Sequence, residues 1–174
     1  MNKEKRLSSD MMLWRTAFTV SKCSTCDRLH AGCVIARDGI IISTGFNGSA
    51  PSEPHCDDVG HDIVSVRSKI KDTIEEHCIR TIHAEVNAVI NAAYLGVSVA
   101  NADWYITGVP CQRCAKIISR LNPKSLFLVD DMGGVTDNKS KLIKWWYDCS
   151  KKEASPDFLM IKSSDELKEL GVID

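Results

Sequence analysis

Two short segments concentrate the groups able to do chemistry: His83-Ala84-Glu85 and Pro110-Cys111-Gln112-Arg113-Cys114. Each opens a stretch with helical patterning, and the second follows the aromatic and β-branched run Trp104-Tyr105-Ile106-Thr107. Two cysteines in C-x-x-C spacing at a helix N-terminus can aim both sulfurs at one ion, and the helix dipole favours their thiolate forms. An imidazole adds a third ligand. Tetrahedral zinc held by three protein groups keeps its fourth position open, the mark of a catalytic rather than a structural site. Glu85 lies two residues from the imidazole, close enough to reach a water at the metal without binding the metal. A carboxylate there can take a proton from that water and deliver it to a leaving amine.

These groups need a scaffold, and the chain around them supplies one. A first helix is expected from about Asp10 to Cys23, with Met12, Leu13, Trp14 and Phe18 on its apolar face and Ser9 or Asp10 as its cap. Two β-branched runs, from Cys33 and from Ile40 to Gly45, meet at Asp38-Gly39, a type I′ turn pair, and predict a hairpin. Residues Asn47 to His61 mix Gly, Ser, Pro and Asp without periodicity and read as a long loop, of a length more often functional than idle. A helix follows from His83 through Leu95, closed by Gly96. Then come a strand at Asp103–Thr107, a helix from Cys111 to Leu121 stopped by Asn122-Pro123, and a strand at Ser125–Val129. A helix from Lys139 to Cys149, a short strand at Phe158–Ile161 and a closing helix from Ser163 complete the chain. Ser163 and Glu166 have capping-box spacing. A hairpin followed by strand–helix alternation predicts a mixed five-stranded sheet with helices on both faces. The expectation is one three-layer α/β/α domain over residues 1–174.

Composition narrows the classes of function. The chain has 174 residues, 44% hydrophobic and 26% charged, enough apolar material for a core and too little net charge for a disordered state. Its 22 basic and 23 acidic side chains leave a formal charge of -1, so an anionic partner must be held by local groups. The basic residues fall only in short runs such as Lys139–Lys144, which argues against a nucleic-acid polymer as partner. The charged N-terminus carries no secretory pattern, and no stretch approaches the roughly 20 apolar residues of a membrane span. A cytoplasmic, reducing location is expected. The eight cysteines and five histidines then point to metal or catalysis rather than to disulfides.

The joint pattern His-x-Glu, then Pro-Cys-x-x-Cys, is the zinc deaminase signature, and the match extends beyond it. Ile42-Ser-Thr-Gly45-Phe46-Asn47-Gly48 is similar to a Gly-Tyr-Asn-Gly loop, with Phe46 in place of Tyr. Pro54-His55-Cys56-Asp57-Asp58-Val59-Gly60, the run His77 to Val89, and Tyr105-Ile-Thr107 with Pro110-Cys111 continue it. From about Met11 to Val129 the chain resembles the cytidine deaminase superfamily, and within it the deoxycytidylate deaminases of bacteria and phages. The resemblance implies hydrolytic deamination of dCMP to dUMP with release of ammonia, supplying dUMP for dTTP synthesis. It implies zinc on His83, Cys111 and Cys114, a water activated toward C4 of cytosine, and Glu85 shuttling the protons. The N–H of Ala84 is implied near the base O2, the carbonyl before Pro110 near the amine, Thr107 in the substrate pocket and Asn47 on the deoxyribose. Taken alone, Asn47-Gly48 reads equally well as a turn pair.

The resemblance also implies a second, structural zinc on Cys26, Cys56, His77 and Cys78, with His55 as a substitute ligand, stapling the long loop to the sheet; unliganded cysteines are the alternative. Cys33 and Cys149 read as small packing residues. Cys23 stands where relatives tend to carry a basic residue, which leaves Lys22 or Arg28 as candidates for the substrate phosphate. Relatives are often hexameric and regulated, with dCTP activating, dTTP inhibiting and Mg²⁺ accompanying the triphosphate. Gly45, Phe46, Asn47 and Gly48 are the implied effector loop, and Trp145-Trp146-Tyr147 serves either an interface or a core helix face. Two rival readings are a deaminase of a nucleoside, guanine or tRNA base, and a non-catalytic zinc module. Glu85 separates the second rival, because a purely structural site has no use for an acid beside an open metal.

Overall fold

A computed structural model of the chain describes residues 6–68, 73–129 and 159–173. Helix α1 (Ser9–Ser21) is capped by Ser8, whose hydroxyl accepts from the Met11 N–H at 3.2 Å. The cap sits one residue ahead of the expected Ser9 or Asp10, because the Ser8 carbonyl already accepts from the Met12 N–H. Strands β1 (Gly32–Arg37) and β2 (Ile40–Phe46) form the expected hairpin. Asp38 and Gly39 at its tip have φ of 51° and 76°, the two positive values a type I′ turn requires.

The hairpin is one half of the main sheet. Strand β7 (Asp103–Ile106) pairs antiparallel with β1 on the side away from β2, and β8 (Ser125–Val129) and β9 (Leu159–Lys162) extend the sheet in parallel. Among the described residues the order is β2-β1-β7-β8-β9, a mixed sheet of five strands. Helices α3 (Ala84–Tyr94) and α4 (Gln112–Arg120) cover one face, and α1 and α5 (Ser164–Glu169) cover the other. Strand alternation divides the core accordingly. Ile35, Trp104 and Ile106 pack with Ala84, Ala88 and Ile118 on the first face. Val34 and Tyr105 pack with Leu13, Trp14 and Leu167 on the second. The Tyr105 ring stacks on Phe127 at 4.3 Å, and its hydroxyl donates to the Asp10 carboxylate at 2.7 Å. Ser163 and Glu166 form the expected capping box at α5.

The structure differs from expectation between residues 47 and 82. The loop contains β3 (Gly48–Ser49) and a one-turn helix α2 (Cys56–Val59). Beyond it, β4 (Ile63–Ser68) and β5 (Thr73–Cys78) form a two-stranded antiparallel ribbon outside the main sheet. β6 (Thr81–Ile82) then pairs with β3. Among the described residues of the ribbon none is fully buried and Ile63 and Ile74 are exposed, so no buried face marks its strands in the sequence. The expected Lys139–Cys149 helix, the Trp145-Trp146-Tyr147 cluster, Cys149 and Phe158 lie outside the described residues.

Two glycines of the hairpin set how closely the helices approach. A Cβ on Gly32 would overlap the Ala17 carbonyl oxygen in α1, and one on Gly45 would overlap the Ala84 carbonyl oxygen and the Ala88 nitrogen in α3. These obstacles are helix backbone, which cannot move aside as a side chain can. Gly45→Ala should therefore destabilise the protein by about 3 kcal/mol, a fall in Tm of about 10 °C in thermal melts. Gly39→Ala, strained only by its φ of 76° and with Ser9 Oγ no nearer than 3.7 Å, should cost about 1 kcal/mol. Equal losses in the two variants would contradict the backbone contact at Gly45.

Candidate functional site

Strand β6 delivers the chain to His83, the N-cap of α3, and Cys111 is the N-cap of α4. Both caps are extended and neither side chain makes a capping bond to its own helix, which leaves each free to turn toward the other. His83 Nδ1 lies 3.6 Å from Cys111 Sγ and 3.4 Å from Cys114 Sγ. All three donor atoms fall within 4.8 Å of one another. Zinc–sulfur and zinc–nitrogen bonds of about 2.3 and 2.0–2.1 Å in a tetrahedron separate sulfur from nitrogen by about 3.6 Å, so these residues fit zinc. The hydrogen bond with Cys114, and then the one with His83, pulls the Cys111 thiol down to about 3, although burial opposes this. The Cys111 contact and burial push Cys114 the other way. Cys111 is thus the first of the pair to ionise.

Glu85, in the first turn of α3, is only 6% exposed. Burial raises its pKa, against the opposing pull of its own backbone N–H and of His83. The structure therefore brings together all four residues read from the two motifs, with the carboxyl against the Cys114 side of the cluster. Ala84 and Pro110 are buried beside them. Thr107 accepts from the Gly32 N–H at 2.8 Å and closes the end of the β1–β7 pairing. Asn47 is buried, with Oδ1 accepting from the Ala31 N–H at 2.7 Å and Nδ2 donating to the Leu29 carbonyl at 2.6 Å. Gly45 is committed to the α3 contact and Gly48 is buried, whereas Phe46 walls a cavity of about 760 Å³ with Thr25, Ser49, Pro51, His55 and Asp58. Lys22 is exposed, and Arg28 donates to the Glu76 carbonyl at 3.3 Å.

A second cluster lies at the base of the β4–β5 ribbon. Cys26, Cys56, His61 and Cys78 bring their donor atoms within 4.8 Å of one another. Cys26 Sγ is 3.7 Å from His61 Nδ1, and Cys56 Sγ is 3.6 Å from Cys78 Sγ. The fourth member corrects the expectation of His77, and of His55 as its substitute. Neighbouring strand residues face opposite ways, so in β5 the side chain of His77 diverges from that of Cys78. His55 is exposed, at the N-cap of α2 and on the cavity wall. His61 ends the segment that reads as a loop, and its signal in the sequence is its place in the same Pro/Asp-rich stretch as Cys56. Its other ring nitrogen, Nε2, sits 3.0 Å from the Asp27 carboxylate, the outer partner a metal-binding histidine typically has. Burial and the Cys78 and Cys26 contacts push Cys56 up to about 12. Burial pushes Cys78 up, but backbone hydrogen bonds at Asp62 and Arg80, with side-chain hydrogen bonds to Cys56 and His61, together bring it down to about 7. Cys33 is fully buried in the core, as expected, and Cys23 is exposed.

Comparison with known proteins agrees with this geometry. The family described as cytidine and deoxycytidylate deaminase zinc-binding region matches residues 7–129. ComE operon protein 2 of Bacillus subtilis is 34% identical over 127 residues, covering 73% of this chain and 62% of that protein. The chain thus spans less than two thirds of that relative's length. The deoxycytidylate deaminase of Enterobacteria phage T2 is 33% identical over 138 residues, covering 63% of this chain and 73% of that protein. The fold is that of the dCMP deaminase of cyanophage S-TIM5, with a TM-score of 0.60 at 19% identity over 91% of this chain and 99% of that one. With both motifs inside the matched region and their side chains converged, the chain belongs to the cytidine and deoxycytidylate deaminase family.

Proposed function

We propose that this chain is a zinc-dependent deaminase that hydrolyses dCMP to dUMP and ammonia, supplying dUMP for dTTP synthesis in the cytoplasm. The observation that carries the reading is a carboxyl group, Glu85, buried against a cluster of three metal donors; zinc held by only three protein groups would have a position open to water. The deoxycytidylate deaminase of phage T2, of which the chain covers 73%, supports dCMP as substrate.

Zinc on His83, Cys111 and Cys114, when bound, supplies the polarisation that makes water nucleophilic near neutral pH. Glu85 does the proton work: a carboxylate oxygen takes a proton from the attacking water and returns it to the departing amine of the base. Its burial keeps competing water away and strengthens its electrostatic grip on the reacting atoms. The N–H of Ala84 is directed to the base O2 and the carbonyl before Pro110 to the amine, with Thr107 holding that wall to β1. Asn47, with one amide hydrogen and one carbonyl lone pair still to spend, takes the deoxyribose. Family likeness further supports dCTP as activator and dTTP as inhibitor, accompanied by Mg²⁺, with the cavity beside Phe46 offering room for a nucleotide. It supports a homo-oligomer, a hexamer, as the assembly.

We place a second zinc at Cys26, Cys56, His61 and Cys78, a closed four-donor set suited to a structural role. Two measurements follow. Elemental analysis of the purified protein should find about two zinc ions per chain. His61→Ala should lose one of them and His77→Ala should keep both; one zinc in the wild type, or loss on His77→Ala, contradicts the ligand set. Glu85→Gln should keep its zinc and lose dCMP turnover by about 10³-fold. Turnover near the wild-type rate in that variant would overturn the mechanism.

A further inference from the structure

Helix α3 meets β2 backbone to backbone at Gly45, and three side chains tie across the same seam. The Ser43 hydroxyl donates to the Ala88 carbonyl at 2.6 Å, and Asn91 Nδ2 donates to the Thr44 carbonyl at 2.9 Å. Asn87 Nδ2 donates to the Phe46 carbonyl at 2.7 Å and to the Ile82 carbonyl at 3.4 Å. The first two ties join the helix only to the interior of a strand. Asn87 joins it to two segments at their functional ends. Phe46 is the last residue of β2 before Asn47 and Gly48, and Ile82 is the last residue before His83. Gly48 and Ile82 are themselves register partners in the β3–β6 pair.

We infer that Asn87 is a positioning residue that locks the Phe46–Gly48 segment to the helix turn carrying Glu85, so that Asn47, to which the proposed function gives the deoxyribose, keeps a fixed place relative to the His83 cluster. The amide suits the task because a single planar nitrogen carries two hydrogens, one for each carbonyl. Alanine offers neither. The inference rests on the proposed dCMP reading only in its kinetic consequence, and its structural consequence can be measured apart from turnover.

The test compares Asn87→Ala with Asn91→Ala, which removes a similar tie from an exposed position one turn further along the same helix. Steady-state kinetics on dCMP should show KM raised about tenfold in Asn87→Ala with kcat changed by less than about threefold, and both values near wild type in Asn91→Ala. Zinc content should be unchanged in both. Hydrogen–deuterium exchange should speed up about tenfold at residues 46–49 in Asn87→Ala alone. Equal effects of the two variants on KM and exchange would reduce Asn87 to ordinary helix packing and overturn the inference, as would loss of zinc with exchange at 46–49 unaltered. Wild-type protein inactive on dCMP would refute the proposed function instead, and the exchange comparison would still decide the role of Asn87.

Discussion

Everything at the metal cluster depends on how closely α3 can lie on the β1–β2 hairpin. His83 and Glu85 occupy the first turn of that helix, so any lift or slide of α3 displaces the imidazole and the acid together. The donors must converge to about 3.6 Å, finer than side-chain rotation alone can correct once a helix has moved. Gly45 permits the approach by having no Cβ, and Ser43, Asn87 and Asn91 hydrogen-bond across the contact it creates. Gly32 performs the same service for α1 on the opposite face, so the hairpin is clamped from both sides by backbone. The alanines Ala84, Ala88 and Ala92 along α3 fit the same close geometry, since larger side chains would hold the layers apart.

Charge is then concentrated where the fold can tolerate it. Two ionisable thiols and a carboxyl share a largely buried volume in a protein whose formal charge is only -1. Both cysteines and Glu85 lie at helix starts, where unpaired backbone N–H groups favour negative charge. A cation held by the three donors would complete the balance. The second cluster answers a different need. A two-stranded ribbon is marginal in water by itself, and His61 and Cys78 bracket β4 and β5 at the end nearest the main body. Metal ligation there would hold the ribbon's base to α2 and to the turn after α1, a task for which the exposed Ile63 and Ile74 supply no core.

What was legible in the sequence had local causes. The hairpin declares itself because Asp38-Gly39 is one of few pairs that adopt two positive φ values, and the core helix α3 because its alanines and valines repeat with helical period. His83, Glu85, Cys111 and Cys114 could be named because each motif lies within one helix turn, where spacing in sequence fixes spacing in space. The fourth member of the second cluster could not. The cluster's residues come from four separate segments, two of them connections, and a strand's alternation decides between His77 and its neighbour, a matter of parity invisible until β5 itself is recognised. The ribbon is illegible for a different reason: none of its described residues is fully buried, and pairing rather than burial defines it. Asn47-Gly48 stood balanced between turn and ligand. The structure shows a buried amide bridging Ala31 and Leu29, which neither reading anticipated.

The fold, the metal donors and the buried acid fit a zinc-dependent deaminase, and the identity of its substrate is the central claim to test. Absorbance-monitored deamination of dCMP, deoxycytidine and cytidine under one set of conditions tests it directly. A kcat/KM for dCMP at least about a hundredfold above that for either unphosphorylated nucleoside is the predicted result. Equal or greater efficiency on deoxycytidine or cytidine would contradict it.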